Sequence, residues 1–216
     1  MRTVHALQTT PDVLAAAVTA VVERGGTVIF PTDTVYGIGC DPASAAAVAN
    51  VFALKGRPGH KPLSLHLASV EEMLAYAPGS ERARRLAHAF LPGPLTVIVR
   101  RPPSVGRYVT AGMDTVGLRV PKHPLCTAIL QRCGPLAATS ANFSGRPAFA
   151  GTVKEPLPEA DLAIDDGPTP VGVESTIVDV SREDVRLVRE GTINRAMLER
   201  ELDEAVRSIF ERTDRS

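Results

Sequence analysis

Three cations fall within seven residues of one loop, a spacing that suits binding to the phosphates of a nucleotide. The loop carries Lys55, Arg57 and Lys61 among glycines and prolines. Arginine offers phosphate a planar pair of donors, and lysine offers a compact charge. A solvated basic loop that complements the dipole at a helix C-terminus would contain the same residues. The loop alone therefore leaves both interpretations open.

Two predicted strand ends run into small hydrogen-bonding side chains. Phe30 leads into Pro-Thr-Asp-Thr-Val-Tyr-Gly at 31–37, and Ala138 leads into Thr-Ser-Ala-Asn at 139–142. Open α/β sheets usually bind ligands at such ends. A structural turn with a locally capping aspartate gives a similar string, but two such ends together favour a binding site.

Two further polar residues interrupt strand patterns. Arg119 lies in the apolar run 116–120, and a buried guanidinium without a partner costs several kcal/mol. We therefore expect an acidic side chain or an anionic substrate beside it. His66 alternates with leucines at 63, 65 and 67, so it points away from them. It is either an exposed histidine or part of a site.

Other chemistries lack their signals in this sequence. The Gly37-Ile38-Gly39 string has no third glycine for a dinucleotide site, and no Walker A loop occurs. The three cysteines form no CxxC pair, which argues against a thiolate zinc site or a disulfide framework. No nucleophilic triad is convincing.

Composition narrows the class of protein. The 216 residues are 44% hydrophobic, and 24 basic residues balance 24 acidic ones. No global positive field exists for non-specific nucleic-acid binding. The N-terminus does not resemble a signal peptide, and no apolar run is long enough to span a membrane. We expect a cytoplasmic protein.

Helix and strand patterns alternate along the chain, which predicts an α/β fold in one domain over 1–216. The second helix is predicted to be capped by Asp41, with Pro42 in its first turn. Prolines concentrate in 143–172, which predicts a long excursion that acts as a lid. A last helix is predicted over 194–211, capped by Asn194, with an apolar stripe through Leu198, Leu202, Val206 and Ile209.

The order of these motifs resembles the YrdC-type threonylcarbamoyl-AMP synthases over about residues 13–195, in a short form without the extra C-terminal domain. The matching strings are Pro31 to Gly37, Lys55-x-Arg57 with Lys61-Pro62-Leu63, Gly93 to Thr96, Arg119-Val120-Pro121, Thr139 to Asn142 with Ser144-Gly145, Glu174-Ser175-Thr176 and Arg189-Glu190-Gly191. Each string is weak, and the ordered set is specific.

The resemblance implies a twisted mixed β-sheet flanked by helices, with an open ligand-binding cavity. It also implies that L-threonine, bicarbonate or CO2, and ATP with Mg²⁺ yield L-threonylcarbamoyladenylate and diphosphate. Protein partners would then transfer the threonylcarbamoyl group to tRNAs reading codons that begin with A. Because the net charge is zero, we expect only weak contact with tRNA itself.

Site residues follow from the resemblance position by position. The implied catalytic residues are Lys55, Arg57, Ser140 and Asn142. The implied threonine-binding residues are Thr34, His66, Arg119, Ala141 and Ser175. The implied ATP-binding residues are Lys55, Arg57, Lys61, Thr115, Thr139, Ser140 and Arg189. No protein ligand to a metal is implied, and Mg²⁺ would bind through the phosphates of ATP.

Two alternatives remain at this point. One is a module that binds double-stranded RNA or tRNA without ATP turnover, with salt-dependent affinity. The other is a carbamoyl-adenylate domain of hydrogenase maturation. Those domains usually lie in long chains with zinc-finger cysteines, and this chain has neither feature.

Overall fold

The computed structural model describes residues 1–151 and 156–209. The strands in these ranges are β1 Arg2–His5, β2 Val28–Phe30, β3 Gly37–Cys40, β4 Ser64–His66, β5 Leu95–Arg100, β6 Thr115–Arg119, β7 Leu136–Ser140, β8 Leu162–Asp165, β9 Thr176–Asp179, β10 Val185–Arg189 and β11 Val206–Ser208. The α-helices are α1 Pro11–Val22, α2 Ala45–Lys55, α3 Val70–Ala75, α4 Glu81–Phe90, α5 Pro124–Cys133 and α6 Arg195–Leu202.

All the strands just named belong to one sheet, in the order β1-β8-β2-β3-β7-β4-β6-β5-β9-β10-β11. Neighbours such as β4 and β6 are parallel, whereas β4 and β7 are antiparallel. The predicted mixed sheet flanked by helices is therefore confirmed. The assignment of 1–216 to a single catalytic domain stays a prediction.

The helices divide between the two faces of the sheet. Helices α2, α3, α4 and α6 bury one face, together with inward residues such as Leu65 and Leu118. Helices α1 and α5 pack on the opposite face, over Val28, Phe30 and Leu136. They cover only the part of that face near β8, β2 and β7, which leaves the rest open.

Strand alternation determines which side chains reach the open face. In β4, Leu65 enters the core while Ser64 and His66 face the other way, as the period-two pattern predicts. The residues beside them on this face are small: a Cβ on Gly117 would lie 2.6 Å from Ser64 Oγ. Small residues in the strands thus leave room for a cleft above the sheet.

The start of α2 differs from the prediction. Its N-cap is Ser44, whose side chain accepts a hydrogen bond from Ala47 N. Asp41 instead accepts from Ala43 N at 2.8 Å and forms a turn before the helix. The predicted cap at Asp41 was wrong because two capping-type residues lie three positions apart, and both can bond a nearby N–H.

The predicted C-terminal helix was also wrong in its extent. Helix α6 is capped by Asn194 as predicted, but it ends at Leu202, and Asp203 adopts a left-handed conformation with φ of 55°. Val206 is fully buried in β11, which pairs with β10. Leu198, Leu202 and Val206 are four residues apart, a spacing that fits a continuous helix. It also fits a helix followed by a strand, because the turn after Leu202 keeps Val206 on the core side. Residues 210 and 211 lie outside the described part.

The excursion at 143–172 contributes to the sheet. Its one apolar run forms β8, which lies parallel between β1 and β2. Residues 152–155 lie outside the described ranges. The lid role assigned to this excursion therefore cannot extend to β8, and for its other residues it stays a prediction. No helix in 1–151 or 156–209 has the length and hydropathy needed to cross a membrane.

The corrected C-terminus can be tested by stability measurements. Val206→Ala should lower the free energy of unfolding by about 2 kcal/mol, because it removes buried methyl groups from a packed strand. Ile209→Ala should change it by less than about 0.5 kcal/mol, since Ile209 is 49% exposed. Urea denaturation of both variants checks this. Equal losses would favour a helix through both positions.

Candidate active site

A cleft of about 490 Å³ opens on the uncovered face of the sheet. Most of the predicted site residues line it, although they come from distant parts of the chain. The predicted residues that line the cleft are Lys55, Arg57, Lys61, His66, Arg119, Thr139, Ser140, Asn142, Ser175 and Arg189. The sequence prediction of one shared site is therefore consistent with the geometry.

Three predicted residues lie outside the lining. Thr34 and Ala141 are fully buried behind the wall of the cleft. Ala141 N donates to Tyr36 O at 2.7 Å, so it joins the two polar strand ends. Thr115 lies at the start of β6, two positions before Gly117 of the cleft floor. A direct substrate contact from any of the three stays a prediction.

Arg119 is held by an internal carboxylate. Its Nη2 donates to Asp33 Oδ1 and to Thr34 Oγ1, both at 2.7 Å, and the arginine is 5% exposed. Its Nε and the second oxygen of Asp33 are buried without a hydrogen-bond partner among the described residues. Of the two partners expected from the sequence, the acidic side chain is present. Arg119 also lines the cleft, and its contact with a substrate carboxylate stays a prediction.

His66 lies beside Arg119, because β4 and β6 pair these two residues. The ring of Phe30 contacts it edge-on, with centroids 5.8 Å apart. Burial, reinforced by the charge of Arg119, lowers the pKa of His66 to about 3. The ring is therefore neutral at physiological pH. Its buried Nδ1 lacks a partner in the described structure, so a polar substrate group there would satisfy it.

The loop at 31–36 connects several walls of the cleft. Asp33 Oδ1 also accepts from Lys122 N at 3.2 Å, beyond the end of β6. The backbone oxygens of Asp33 and Thr34 accept from the N–H groups of Val171 and Gly172, each at 3.0 Å. The second half of the excursion is thus bonded to the same loop that holds Arg119.

Tyr36 extends this connection. Its hydroxyl donates to Gly167 O at 2.7 Å and accepts from Asp166 N at 2.9 Å. Burial raises the pKa of Tyr36 to about 12, so the phenol keeps its proton as a donor. Its ring packs on Phe149, with centroids 4.9 Å apart. Both described halves of the excursion therefore lie against this one side chain.

Lys55 is buried at the C-terminal end of α2, with 2% of its surface exposed. Its ammonium donates to the backbone oxygens of Ser140 and Asn142, and to Asn142 Oδ1 at 3.4 Å. Desolvation and the nearby Arg57 lower the pKa of Lys55 to about 8, which leaves it mostly charged at pH 7. Because an ammonium has three donors, the predicted contact with phosphate would require one of these bonds to exchange.

The other cationic side chains predicted for the site differ in whether hydrogen bonds or an ion pair already occupy them. Arg57 donates to the backbone oxygens of Lys61 and Pro62, at 2.9 and 2.8 Å. Arg189 forms an ion pair of 2.7 Å with Glu174, and its Nε donates to Ser175 O at 2.9 Å. The ammonium of Lys61 forms no hydrogen bond or ion pair within the described residues, so it is available for a ligand.

The cleft is strongly positive although the whole chain is neutral. Six cationic side chains line it: Lys55, Arg57, Lys61, Arg119, Arg146 and Arg189. Against them stand Glu174 in the lining and Asp33 behind Arg119. In the part of the chain that the structure describes, four positive charges thus remain uncompensated, and a cleft of this kind concentrates anions.

Sequence reasoning missed several lining residues. Ser64 and Thr96 face the cleft, and both alternate with core residues, so the period-two pattern contained this signal. Thr96 Oγ1 lies 2.9 Å from Ser175 Oγ. Arg146 was missed because no local pattern marks a cation in a proline-rich excursion. Asp33 was noted only as part of a polar string.

A protein-bound metal finds little support in the described residues. They contain no cluster of three or more histidine, cysteine, aspartate or glutamate side chains that could hold an ion. Glu174, the one carboxylate in the lining, pairs with Arg189. Mg²⁺ bound through the phosphates of ATP stays a prediction, and Glu174 would have to leave Arg189 to add the carboxylate that often accompanies substrate phosphates.

Comparisons with known proteins agree with the fold. Residues 20–191 match the family model Sua5_yciO_yrdC, which is described as "Telomere recombination". The chain is 38% identical over 197 residues to the Bacillus subtilis protein named threonylcarbamoyl-AMP synthase, a match that covers 88% of this chain and 57% of the relative. The chain therefore belongs to the Sua5/YciO/YrdC family.

Solved structures show the same relationship. The crystal structure of Pyrococcus abyssi Sua5 complexed with L-threonine has a TM-score of 0.87 and 33% identity, over 96% of this chain and 62% of that one. Escherichia coli YciO has a TM-score of 0.75 and 25% identity, over 88% of this chain and 94% of that one. The chain thus spans less than two thirds of the B. subtilis and P. abyssi proteins.

The importance of Asp33 can be tested by stability. Asp33→Ala should lower the free energy of unfolding by about 3 kcal/mol or more, because it leaves a buried guanidinium without its counter-ion. A matched control is Asp114→Ala, which breaks an exposed 2.7 Å pair with Arg107 and should cost less than about 1 kcal/mol. Thermal and urea denaturation compare them. A loss at Asp33 no larger than the control would contradict this role.

Proposed function

We propose that the protein synthesises L-threonylcarbamoyladenylate from L-threonine, bicarbonate or CO2, and ATP, with release of diphosphate. The observation that carries this proposal is that one cleft is lined by two different kinds of cation. Arg119 offers a buried guanidinium held by Asp33, and Lys61 offers an exposed ammonium without a partner among the described residues. The names of the relatives support the same reaction, and the P. abyssi structure with L-threonine supports the amino-acid substrate.

Arg119 is suited to the carboxylate of threonine. Because Asp33 and Thr34 hold its Nη2, the guanidinium is oriented before the substrate arrives, and little ordering cost remains at binding. The neutral His66 and the hydroxyl of Ser175 lie in the same lining. They can accept from or donate to the hydroxyl and amine of the amino acid without adding charge.

The reaction needs positioned charge more than a nucleophile from the protein. The amine of threonine attacks the carbon of CO2 and loses a proton to give N-carboxythreonine. When bicarbonate is the source, its carbon takes the amine and a water molecule leaves. A carbamate oxygen then attacks the α-phosphorus of ATP, and diphosphate leaves with the electron pair of the bridging bond. Fixed cations lower the energy of the anionic transition state. Arg57 and Lys61 would supply them, while Lys55 holds the turn of Ser140 and Asn142 in place.

Mg²⁺ would be held by the phosphates of ATP, where it neutralises part of their charge. The protein partners that transfer the threonylcarbamoyl group to tRNA, and a weak contact with tRNA, belong to the same proposal. So does a cytoplasmic location, which the three free cysteines support. The alternative of an RNA-binding module without ATP turnover is not favoured, because the B. subtilis relative is named threonylcarbamoyl-AMP synthase.

Diphosphate release tests the proposed reaction directly. Purified protein with Mg²⁺ and ATP should release diphosphate only when both L-threonine and bicarbonate are present, because the nucleophile is formed from the two. Omission of either substrate is the internal control, and L-serine in place of threonine tests selectivity. Release that does not depend on threonine would contradict the proposal.

Two variants distinguish the residues proposed to bind threonine from the residue proposed to bind ATP. Asp33→Asn with Arg119→Gln removes the buried charges together, so no unpaired ion remains, and should raise the KM for threonine at least about tenfold. Lys61→Ala should raise the KM for ATP several-fold and leave that for threonine nearly unchanged. Steady-state kinetics, with threonine and ATP varied in turn, measures the two KM values for each variant. Equal effects of both variants on the two substrates would overturn these assignments.

A further inference from the structure

Arg146 is a cation of the cleft that the motifs of the sequence do not assign. Its side chain lines the cleft together with Asn142, Ser144 and Lys55, and the residue is exposed. Within the described residues its guanidinium has no hydrogen bond and no ion pair. It shares this property with Lys61, whereas Arg119 and Arg189 have carboxylate partners. A guanidinium with all its donors free is suited to an incoming anion.

The backbone of Arg146 is fixed although its side chain is free. Its N–H donates to Phe143 O at 3.0 Å, and its carbonyl accepts from Asn142 Nδ2 at 2.6 Å. Ser144 N in the same turn donates to Lys55 O at 2.9 Å. Pro147 follows, which further restricts the backbone of residue 146. The turn is therefore attached to the end of α2, next to the cationic loop.

The structure offers Arg146 no internal role that would explain its charge. It neutralises no carboxylate among the described residues, and its exposed side chain contributes little to the core. The side-chain amide of Asn142 connects Arg146 to Ser140. Its Nδ2 donates to the carbonyl of Arg146, and its Oδ1 accepts a hydrogen bond from Ser140 Oγ at 2.6 Å. A cation at this position therefore extends the positive wall that begins at Lys55.

We propose that Arg146 binds the diphosphate part of ATP in the cleft that Lys61 also lines, and holds the diphosphate as the bond to the α-phosphorus breaks. This inference rests on the proposed function, since it assigns one more residue to the same site. When that bond breaks, negative charge increases on the oxygens of the departing diphosphate. A planar guanidinium can donate two parallel hydrogen bonds to them. A residue with this role affects ATP and diphosphate, and it does not affect threonine.

Calorimetric binding of magnesium diphosphate tests the inference without turnover. The Arg146→Ala variant should bind diphosphate about tenfold more weakly than the unmodified protein, as loss of a charge-assisted contact implies. Arg146→Lys should bind diphosphate more tightly than Arg146→Ala and more weakly than the unmodified protein, because lysine keeps the positive charge but lacks the paired donors of a guanidinium. Arg132→Ala is the matched control: it removes an exposed arginine from the last turn of α5 and should change nothing.

The threonine affinity of Arg146→Ala distinguishes a phosphate contact from a distorted turn. Unchanged threonine affinity with weaker diphosphate binding supports the inference. Equal weakening of both ligands, or diphosphate binding within twofold of the unmodified protein, would overturn it. Failure of the proposed reaction would show itself separately, as threonine-independent diphosphate release by the unmodified protein, and would leave the calorimetric comparison to decide the role of Arg146.

Discussion

A guanidinium buried in a β-sheet requires a carboxylate beside it, and the pair of Arg119 and Asp33 meets this requirement. Arg119 alone would be too costly to bury. Asp33 alone would likewise be a buried charge without a counter-ion. Together they form an ion pair without net charge, in which Arg119 lines the cleft and Asp33 holds its guanidinium. The site therefore begins with an interaction that is complete before a substrate binds.

The loop that carries Asp33 links this pair to the rest of the cleft. The backbone oxygen of Tyr36 in that loop accepts a hydrogen bond from the N–H of Ala141, which lies between Ser140 and Asn142. The ring and hydroxyl of Tyr36 contact the excursion. The excursion also bonds the backbone of Asp33 and Thr34. A displacement of the Asp33 loop should consequently be transmitted to the turn of Ser140 and Asn142 through hydrogen bonds.

Much of the fold was predictable, because local patterns determined it, and so was the placement of two residues that line the cleft. Alternation in β4 placed His66 opposite the leucines, and the apolar run around Arg119 required a buried partner for its charge. The sequence could not select Asp33 as that partner, since the choice depends on which loop the sheet brings next to β6. It likewise could not show that β8 crosses from the excursion into the sheet, or that the chain turns after Leu202. These features depend on contacts between residues far apart in the chain.

In the proposed reaction, threonine becomes bonded through a carbamate to the α-phosphate of ATP within one cleft. Mass spectrometry of the product formed from L-threonine, ATP and carbon-13 bicarbonate tests it most directly. The expected product is an adenylate that contains threonine and a single labelled carbon, formed in amounts equal to the diphosphate released. Consumption of ATP without a product that contains both the threonine and the label would contradict it.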